Sequence, residues 1–195
     1  MNLHEDFPYP LYLVLSEQSC LHHSFLKVAE LAIKGGVDLI QLREKKCSTA
    51  QFTYRACQLK EVASKYGIPI IINDNLQVAH HIDAAGVHVG TTDVSPSAIS
   101  NLFPNKLIGY SIENLTQFQT QEVNYAHHFG ISPVFNSATK RDTLAPWGID
   151  GIKQIRLQTQ KPLIGIGDMN LKNIKKVLDA GVNSIAVASA ICSSK

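Results

Sequence analysis

Five charged side chains set the chemical problem of this sequence. Arg43, Lys45 and Lys140 are cations and Asp74 and Asp93 are carboxylates, and each lies at or just beyond the end of a short apolar run. A guanidinium grips a phosphate through two parallel hydrogen bonds and an ammonium acts as a point charge, so the three cations suit a polyanion such as pyrophosphate. Two carboxylates suit Mg2+, which takes one or two from a protein and completes its octahedron with water and phosphate oxygens. Together they describe a site for a metal diphosphate. Gln41, Asn73, His88 and Ser111 occupy the same kind of position, and Ser137 and Thr139 precede Lys140. A second anion site is expected where the turn Gly165-Ile166-Gly167-Asp168 meets Ser189, because backbone amides there can face a phosphate.

Each residue taken alone has a plainer reading. Arg43-Glu44-Lys45 reads as a solvated strand end, Asp74 and Asp93 read as helix caps, and His88 reads as a core histidine. The pairs His22-His23, His80-His81 and His127-His128 read as surface or helix-end residues, since no carboxylate spacing joins them into a metal site. The functional reading rests on the coincidence of six such signals at six strand ends.

The elements that must bring them together are legible in the hydrophobic pattern. Apolar runs recur at Leu11–Leu15, Leu39–Leu42, Pro69–Ile72, Val87–Val89, Leu107–Tyr110, Phe129–Ile131, Leu163–Ile166 and Ile185–Ala188, which makes eight candidate strands. Segments between them repeat apolar residues at helical spacing, as in Phe25, Val28, Ala29, Ala32 and Ile33. Glycines at Gly35-Gly36, Gly67, Gly86 and Gly181 stand where helices should exit toward the next strand. Strands alternating with crossover helices predict a parallel sheet, and eight of them predict a (β/α)8 TIM barrel with its ligand site at the C-terminal strand ends. A doubly wound open sheet is the alternative. The 195 residues fit one such domain spanning 1–195, slightly short of the ~200 residues at the low end for this fold. Only Ala190–Lys195 follow the eighth run, so the closing C-terminal helix is expected to be missing or replaced. The bare face is then covered by another element or by a partner, a second copy in a homo-oligomer included.

Eighteen basic and sixteen acidic side chains are interspersed for a net charge of +2, which argues against a nucleic-acid groove or a membrane-binding patch. The four cysteines, Cys20, Cys47, Cys57 and Cys192, show neither a disulfide framework nor zinc-site spacing. The N-terminal residues lack a signal-peptide pattern and no segment reaches the ~18 apolar residues of a span. Small-molecule ligands and a cytoplasmic location are the expectation.

The runs QLREK (Gln41–Lys45), IIINDN (Ile70–Asn75), AAGVHVGTTD (Ala84–Asp93), IGYS (Ile108–Ser111), SPVFNSATKRDTLAPWG (Ser132–Gly148), IGIG (Ile164–Gly167) and AVASAI (Ala186–Ile191) occur in this order over about 180 residues. The sequence so described resembles the thiamine-phosphate synthase and thiazole tautomerase family. The resemblance implies a transferase that captures a hydroxymethylpyrimidine, released from its diphosphate, on the ring nitrogen of a thiazole phosphate. It implies that Arg43, Lys45, Asn73, Ser111 and Lys140 hold the pyrophosphate, and that Asp74 and Asp93 hold Mg2+. Gln41 and His88 would face the pyrimidine, and Ser137, Thr139, the turn after Gly167, and Ser189 would take the thiazole phosphate. Of these, Lys140, Ser111, Arg43 and Lys45 would carry the catalysis.

The chain departs from the family pattern at four places. Asn75 stands where arginine is usual, Thr91-Thr92 replace Gln-Glu, Glu113 replaces a histidine, and Asp168 replaces a second glycine after Gly-Ile-Gly. Two other readings compete with an active synthase. For a tautomerase relative the family pattern leads one to expect a histidine near Pro133, a position that here offers no proton donor. A catalytically impaired barrel that binds a thiamine precursor as a regulatory protein would be favoured by Asp168 and by the short C-terminus.

Overall fold

The computed structural model describes residues 4–136 and 145–194. Eight parallel strands close on themselves in sequence order: β1 (Leu11–Leu15), β2 (Leu39–Leu42), β3 (Ile70–Asn73), β4 (Gly86–Val89), β5 (Leu107–Ile112), β6 (His128–Ile131), β7 (Leu163–Ile166) and β8 (Ser184–Val187). The ring shuts where β1 pairs with β8 through Leu11 and Ile185, Tyr12 and Ala186, and Leu13 and Val187. The expected barrel is therefore present, with strand limits shifted by one or two residues at several ends.

Strand periodicity divides the apolar residues into two cores. Tyr12, Leu39, Ile71, Ile164 and Ala186 fill the barrel interior together with Phe7, while alternate residues such as Leu13, Ile40, Leu42 and Ile72 face the surrounding helices. Phe7 seals the N-terminal end and is almost fully buried, its ring 5.0 Å from that of Tyr9 and 4.6 Å from that of His128.

The helices are α1 (Phe25–Lys34), α2 (Thr49–Ser64), α3 (Leu76–His81), α4 (Pro96–Leu102), α5 (Glu122–Tyr125), α6 (Gly148–Gln158), α7 (Ile174–Asp179) and α8 (Ser189–Cys192). Their starts follow local chemistry. Ser24, Ser48, Asn75 and Ser95 each accept a hydrogen bond from a first-turn backbone N–H, and Gln51 completes a capping box with Ser48. α1 buries Phe25, Val28, Ala29, Ala32 and Ile33, the stripe its sequence spacing predicts. Gly36, Gly67 and Gly181 take positive φ at helix exits, whereas Gly86 opens β4.

As the expectation allowed, the full closing helix is replaced: the four-residue α8 stands in that place and packs against α1. Its Cys192 is fully buried, and the Ser193 hydroxyl donates to the Ser19 carbonyl at 3.4 Å.

Gly86 is fixed by close approach. A Cβ there would stand 2.2 Å from the Leu107 carbonyl oxygen and 2.8 Å from Ile71 Cδ1. Neither the ladder carbonyl nor the barrel interior can yield, so Gly86→Ala is expected to cost about 3 kcal/mol, the upper end of overpacking penalties. Denaturant unfolding of the two proteins measures this, and an unchanged midpoint would show that β4 and β5 separate easily.

Candidate functional site

The interior alternation continues past the apolar layer and changes character at the C-terminal ends. On β2 the inward sequence is Leu39, Gln41 and then Arg43; on β3 it is Ile71 and Asn73; on β4 it is Gly86 and His88; on β5 it is Gly109 and Ser111. Gln41, Arg43, Asn73, His88, Ser111, Gly167 and Ser189 all line one cavity at the barrel mouth. Those seven sequence assignments thus converge. Ser137, Thr139 and Lys140 lie outside the described residues.

Lys45, Asp74 and Asp93 form a cluster beside that cavity and are not part of its wall. Lys45 Nζ donates to Asp74 Oδ2 at 2.5 Å, and Asp93 Oδ2 accepts from the Gly90 amide at 2.8 Å. Asp74 adopts a left-handed backbone with φ of 59°, and its amide donates to the His88 carbonyl at 3.0 Å. Burial pushes the Asp74 carboxyl above its ordinary value, the Lys45 ammonium pulls it back, and the nearby Asp93 carboxylate adds to the rise. Two hard oxygen donors held close together against mutual repulsion suit a small divalent cation.

Three polar groups are prepared for a ligand. The amides of Gln41 and Asn73, 5% and 7% exposed, and the Arg43 guanidinium have no hydrogen-bond partner among the described residues. Facing the cavity, these groups are open to water or to a ligand. His88 Nε2 and Ser111 Oγ lie 3.0 Å apart on the same wall.

The opposite wall is built from β7, β8 and β1. Gly167 has φ of 118°, and a Cβ would meet Pro133 Cβ and the Val134 amide at 2.9 Å, so only glycine fits. Asp168 follows with φ of 49°, and its carbonyl accepts from the side-chain amides of Asn170 at 3.1 Å and Asn173 at 2.8 Å. Its carboxylate is exposed at the cavity rim and has no partner among the described residues. Ser16 and Ser19 complete this wall beside Ser189, which is exposed at the start of α8.

The other departures have local explanations. Asn75 caps α3 by accepting from the Val78 amide at 2.9 Å. Thr91 and Glu113 satisfy each other through a 2.7 Å hydrogen bond across neighbouring loops.

Sequence reasoning missed three residues. His128 is fully buried inside the barrel, which corrects the surface reading of His127-His128. Tyr12 lines the cavity floor from β1; only strand alternation could have found it. Arg55 on α2 donates to Glu44 Oε2 at 2.9 Å and also reaches the Glu17 carboxylate, while Glu44 Oε1 accepts from the Glu17 amide at 2.7 Å. The Glu44 side chain is 6% exposed. This group ties the loop after β1 to the segment that carries Arg43 and Lys45.

A sequence model described as thiamine monophosphate synthase matches residues 11–191. A thiamine-phosphate synthase of Albidiferax ferrireducens is 38% identical over 186 residues, covering 95% of this chain and 85% of the relative. Thiamine-phosphate synthase 1 of Streptococcus pneumoniae is 37% identical over 189 residues, covering 95% and 90%. Among solved structures, a thiamine phosphate pyrophosphorylase from Pyrococcus furiosus superposes with a TM-score of 0.84 at 26% identity, covering 96% of this chain and 89% of the other. An N-acetylmannosamine-6-phosphate 2-epimerase from Clostridium perfringens shares the fold alone, with a TM-score of 0.69 at 16% identity.

Removing Arg55 would strand the buried Glu44 carboxylate. Arg55→Ala is expected to destabilise the protein by about 3 kcal/mol, and the double variant Arg55→Met, Glu44→Gln by much less, because breaking a buried pair costs more than replacing it. Chemical unfolding of the single and double variants separates the two cases; additive losses would mean that the pair does not interact.

Proposed function

We propose how this barrel mouth works from one premise: the chain belongs to the thiamine monophosphate synthase family. It is a transferase that joins hydroxymethylpyrimidine diphosphate to hydroxyethylthiazole phosphate, forming thiamine phosphate and releasing pyrophosphate. The bond between the pyrimidine methylene carbon and the diphosphate oxygen breaks, its electron pair leaves with the pyrophosphate, and the thiazole nitrogen lone pair forms the new C–N bond. No protein nucleophile is required.

Arg43, Lys45, Asn73 and Ser111 hold the leaving pyrophosphate, joined by Lys140. Their charges and hydrogen bonds strengthen as negative charge collects on the leaving oxygen, and that differential is the source of catalysis. Gln41 reads the pyrimidine edge and His88 flanks it. The β7, β8 and β1 wall, with the turn at Gly167, Ser189, Ser137 and Thr139, orients the thiazole phosphate for attack. The observation that carries this reading is the set of unpartnered Gln41, Arg43 and Asn73 groups converging on one cavity.

Asp74 and Asp93 would hold magnesium, and their carboxylates, close enough to interact, fit an ion that takes its remaining ligands from water and phosphate. Bound there, the metal would supply charge neutralisation of the departing pyrophosphate. Lys45 compensates the charge of Asp74.

Mixing both substrates with the purified protein and magnesium should yield thiamine phosphate and pyrophosphate. Asp74→Asn and Asp93→Asn are each expected to lower turnover at limiting magnesium by more than about tenfold, within the range seen when a charge-stabilising group is lost, while thermal unfolding stays near that of the parent. Full activity in both variants would refute the metal assignment.

Asp168 places a carboxylate at the rim where the thiazole phosphate approaches, and like charges oppose binding. Asp168→Gly relieves both the charge and the left-handed backbone. Its Michaelis constant for thiazole phosphate should fall without a comparable change for the pyrimidine diphosphate. Equal constants in the two proteins would mean that the carboxylate turns away from the bound ligand.

A further inference from the structure

The strand that carries Ser111 runs on into a turn whose shape one buried amide decides. Gln117 stands on the 3-10 helix Leu115–Gln119 that follows β5, and it is buried. Its Nε2 donates to the Ser111 carbonyl at 3.0 Å. Its Oε1 accepts from the backbone amides of Glu113 at 2.7 Å and Asn114 at 3.1 Å. Glu113 and Asn114 lie past Ile112, the last residue of β5, so the ladder with β4 and β6 does not supply their partners. Both ends of the amide are needed. A leucine would satisfy none of the three backbone groups, and an asparagine, one methylene shorter, would not span them all.

The anchored residues lead in two directions. Ser111 lines the cavity, with its Oγ 3.0 Å from His88 Nε2. Glu113 sends its carboxylate across to the loop after β4, where it accepts from Thr91 Oγ1 at 2.7 Å. Two residues further along that loop is Asp93, whose carboxylate accepts from the Gly90 amide at 2.8 Å and so closes the same turn. Gln117 does not line the cavity itself. It stands behind one residue assigned to the pyrophosphate and one assigned to the metal. A buried amide with three hydrogen bonds to one stretch of backbone holds that stretch in a single geometry.

We propose that Gln117 is a positioning residue that holds Ser111 toward the pyrophosphate and, through Glu113 and Thr91, sets the loop that carries Asp93. A donor helps a leaving group most when it is already aimed, since one that must first be ordered spends binding energy on its own alignment. The bond to the Ser111 carbonyl fixes the backbone from which the hydroxyl projects. The bonds to the Glu113 and Asn114 amides fix the start of the turn, and with it the direction from which Glu113 meets Thr91. One side chain thus ties the hydroxyl on β5 to the carboxylate beyond β4, and the two keep their spacing. This inference rests on the reading above that Ser111 donates to the pyrophosphate and Asp93 holds magnesium.

The test uses the full chain and inorganic pyrophosphate, titrated by calorimetry at saturating magnesium and again as magnesium is varied. In Gln117→Leu the pyrophosphate affinity should fall about tenfold, and the magnesium needed for half-maximal binding should rise about fivefold, the scale of one or two misplaced hydrogen bonds. The Michaelis constant for thiazole phosphate should stay within about twofold of the parent, since its wall lies on other strands. Gln117→Asn should show the same pattern in weaker form, and it carries the test if the leucine variant does not fold. Glu113→Ala keeps the backbone amide that Gln117 holds but cuts the link to Thr91. It should raise the magnesium requirement while leaving pyrophosphate affinity at saturating magnesium near that of the parent, and Thr91→Val should match it. A purely structural Gln117 would lower the thermal unfolding temperature and leave both pyrophosphate readouts at parental values, which overturns the proposal. An equal loss of thiazole phosphate binding overturns it as well, because the whole mouth would then be loosened. Ser111→Ala and Asp93→Asn test the underlying reading by themselves. If they weaken pyrophosphate binding and raise the magnesium requirement while the Gln117 variants do neither, the reading stands and the proposal falls; parental behaviour in both removes Ser111 and Asp93 from the site, and the proposal with them.

Discussion

Closing eight short strands into a ring leaves an interior with room for few side chains, and every other feature of this protein is fitted to that limit. The inward positions are therefore rationed. Tyr12, Leu39, Ile71, Ile164 and Ala186 occupy the lower interior, with Phe7 as a plug beneath them. On β4, β5 and β6 the inward positions alternate between imidazole or hydroxyl groups and glycine: Gly86 and His88, Gly109 and Ser111, His128 and Gly130. The glycines make space for neighbours' rings. A Cβ on Gly130 would stand 2.9 Å from His88 Cε1, so the polar wall of the cavity exists only because its neighbours are empty of side chains.

The same limit separates the two halves of the mouth electrostatically. Arg43, Lys45, Asp74 and Asp93 lie on and beyond β2, β3 and β4, where charges can pair with one another while remaining open to a ligand. The β7, β8 and β1 side offers serine hydroxyls, with Asp168 as its charged feature among the described residues that line the cavity. On the proposed reading, the diphosphate and the phosphate monoester would meet different surroundings, which would suit a reaction whose leaving group needs strong neutralisation and whose acceptor needs mainly orientation.

Much of this was legible in the sequence, for definable reasons. Strands buried on both faces read as short apolar runs, and three of the eight runs match the observed strands end to end. Polar residues at the C-terminal ends of such runs must meet at one mouth once the ring closes, which is why Gln41, Arg43, Asn73, His88, Ser111, Gly167 and Ser189 could be gathered before any coordinates. What stayed hidden depends on phase and on distance. Of His127-His128, the first stands just before β6 and is exposed while the second begins the strand, and composition does not say that the second enters the barrel. The Glu44–Arg55 contact joins a strand end to a helix, and periodicity carries no information about such a pairing. Glu113 and Thr91 each looked anomalous alone, and only their proximity shows that they answer one another.

On the segment after β2, consecutive residues serve unrelated ends: Arg43 enters the cavity, Glu44 turns to the scaffold pair with Arg55, and Lys45 meets Asp74. Register therefore matters there more than identity. Inserting or deleting one residue would exchange these orientations, burying a guanidinium against α2 and pointing a carboxylate at an anion, even with every amino acid retained. Length change in this stretch is thus a harsher perturbation than substitution, and descent from a common ancestor should show the segment drifting by replacement while keeping its spacing from the strand.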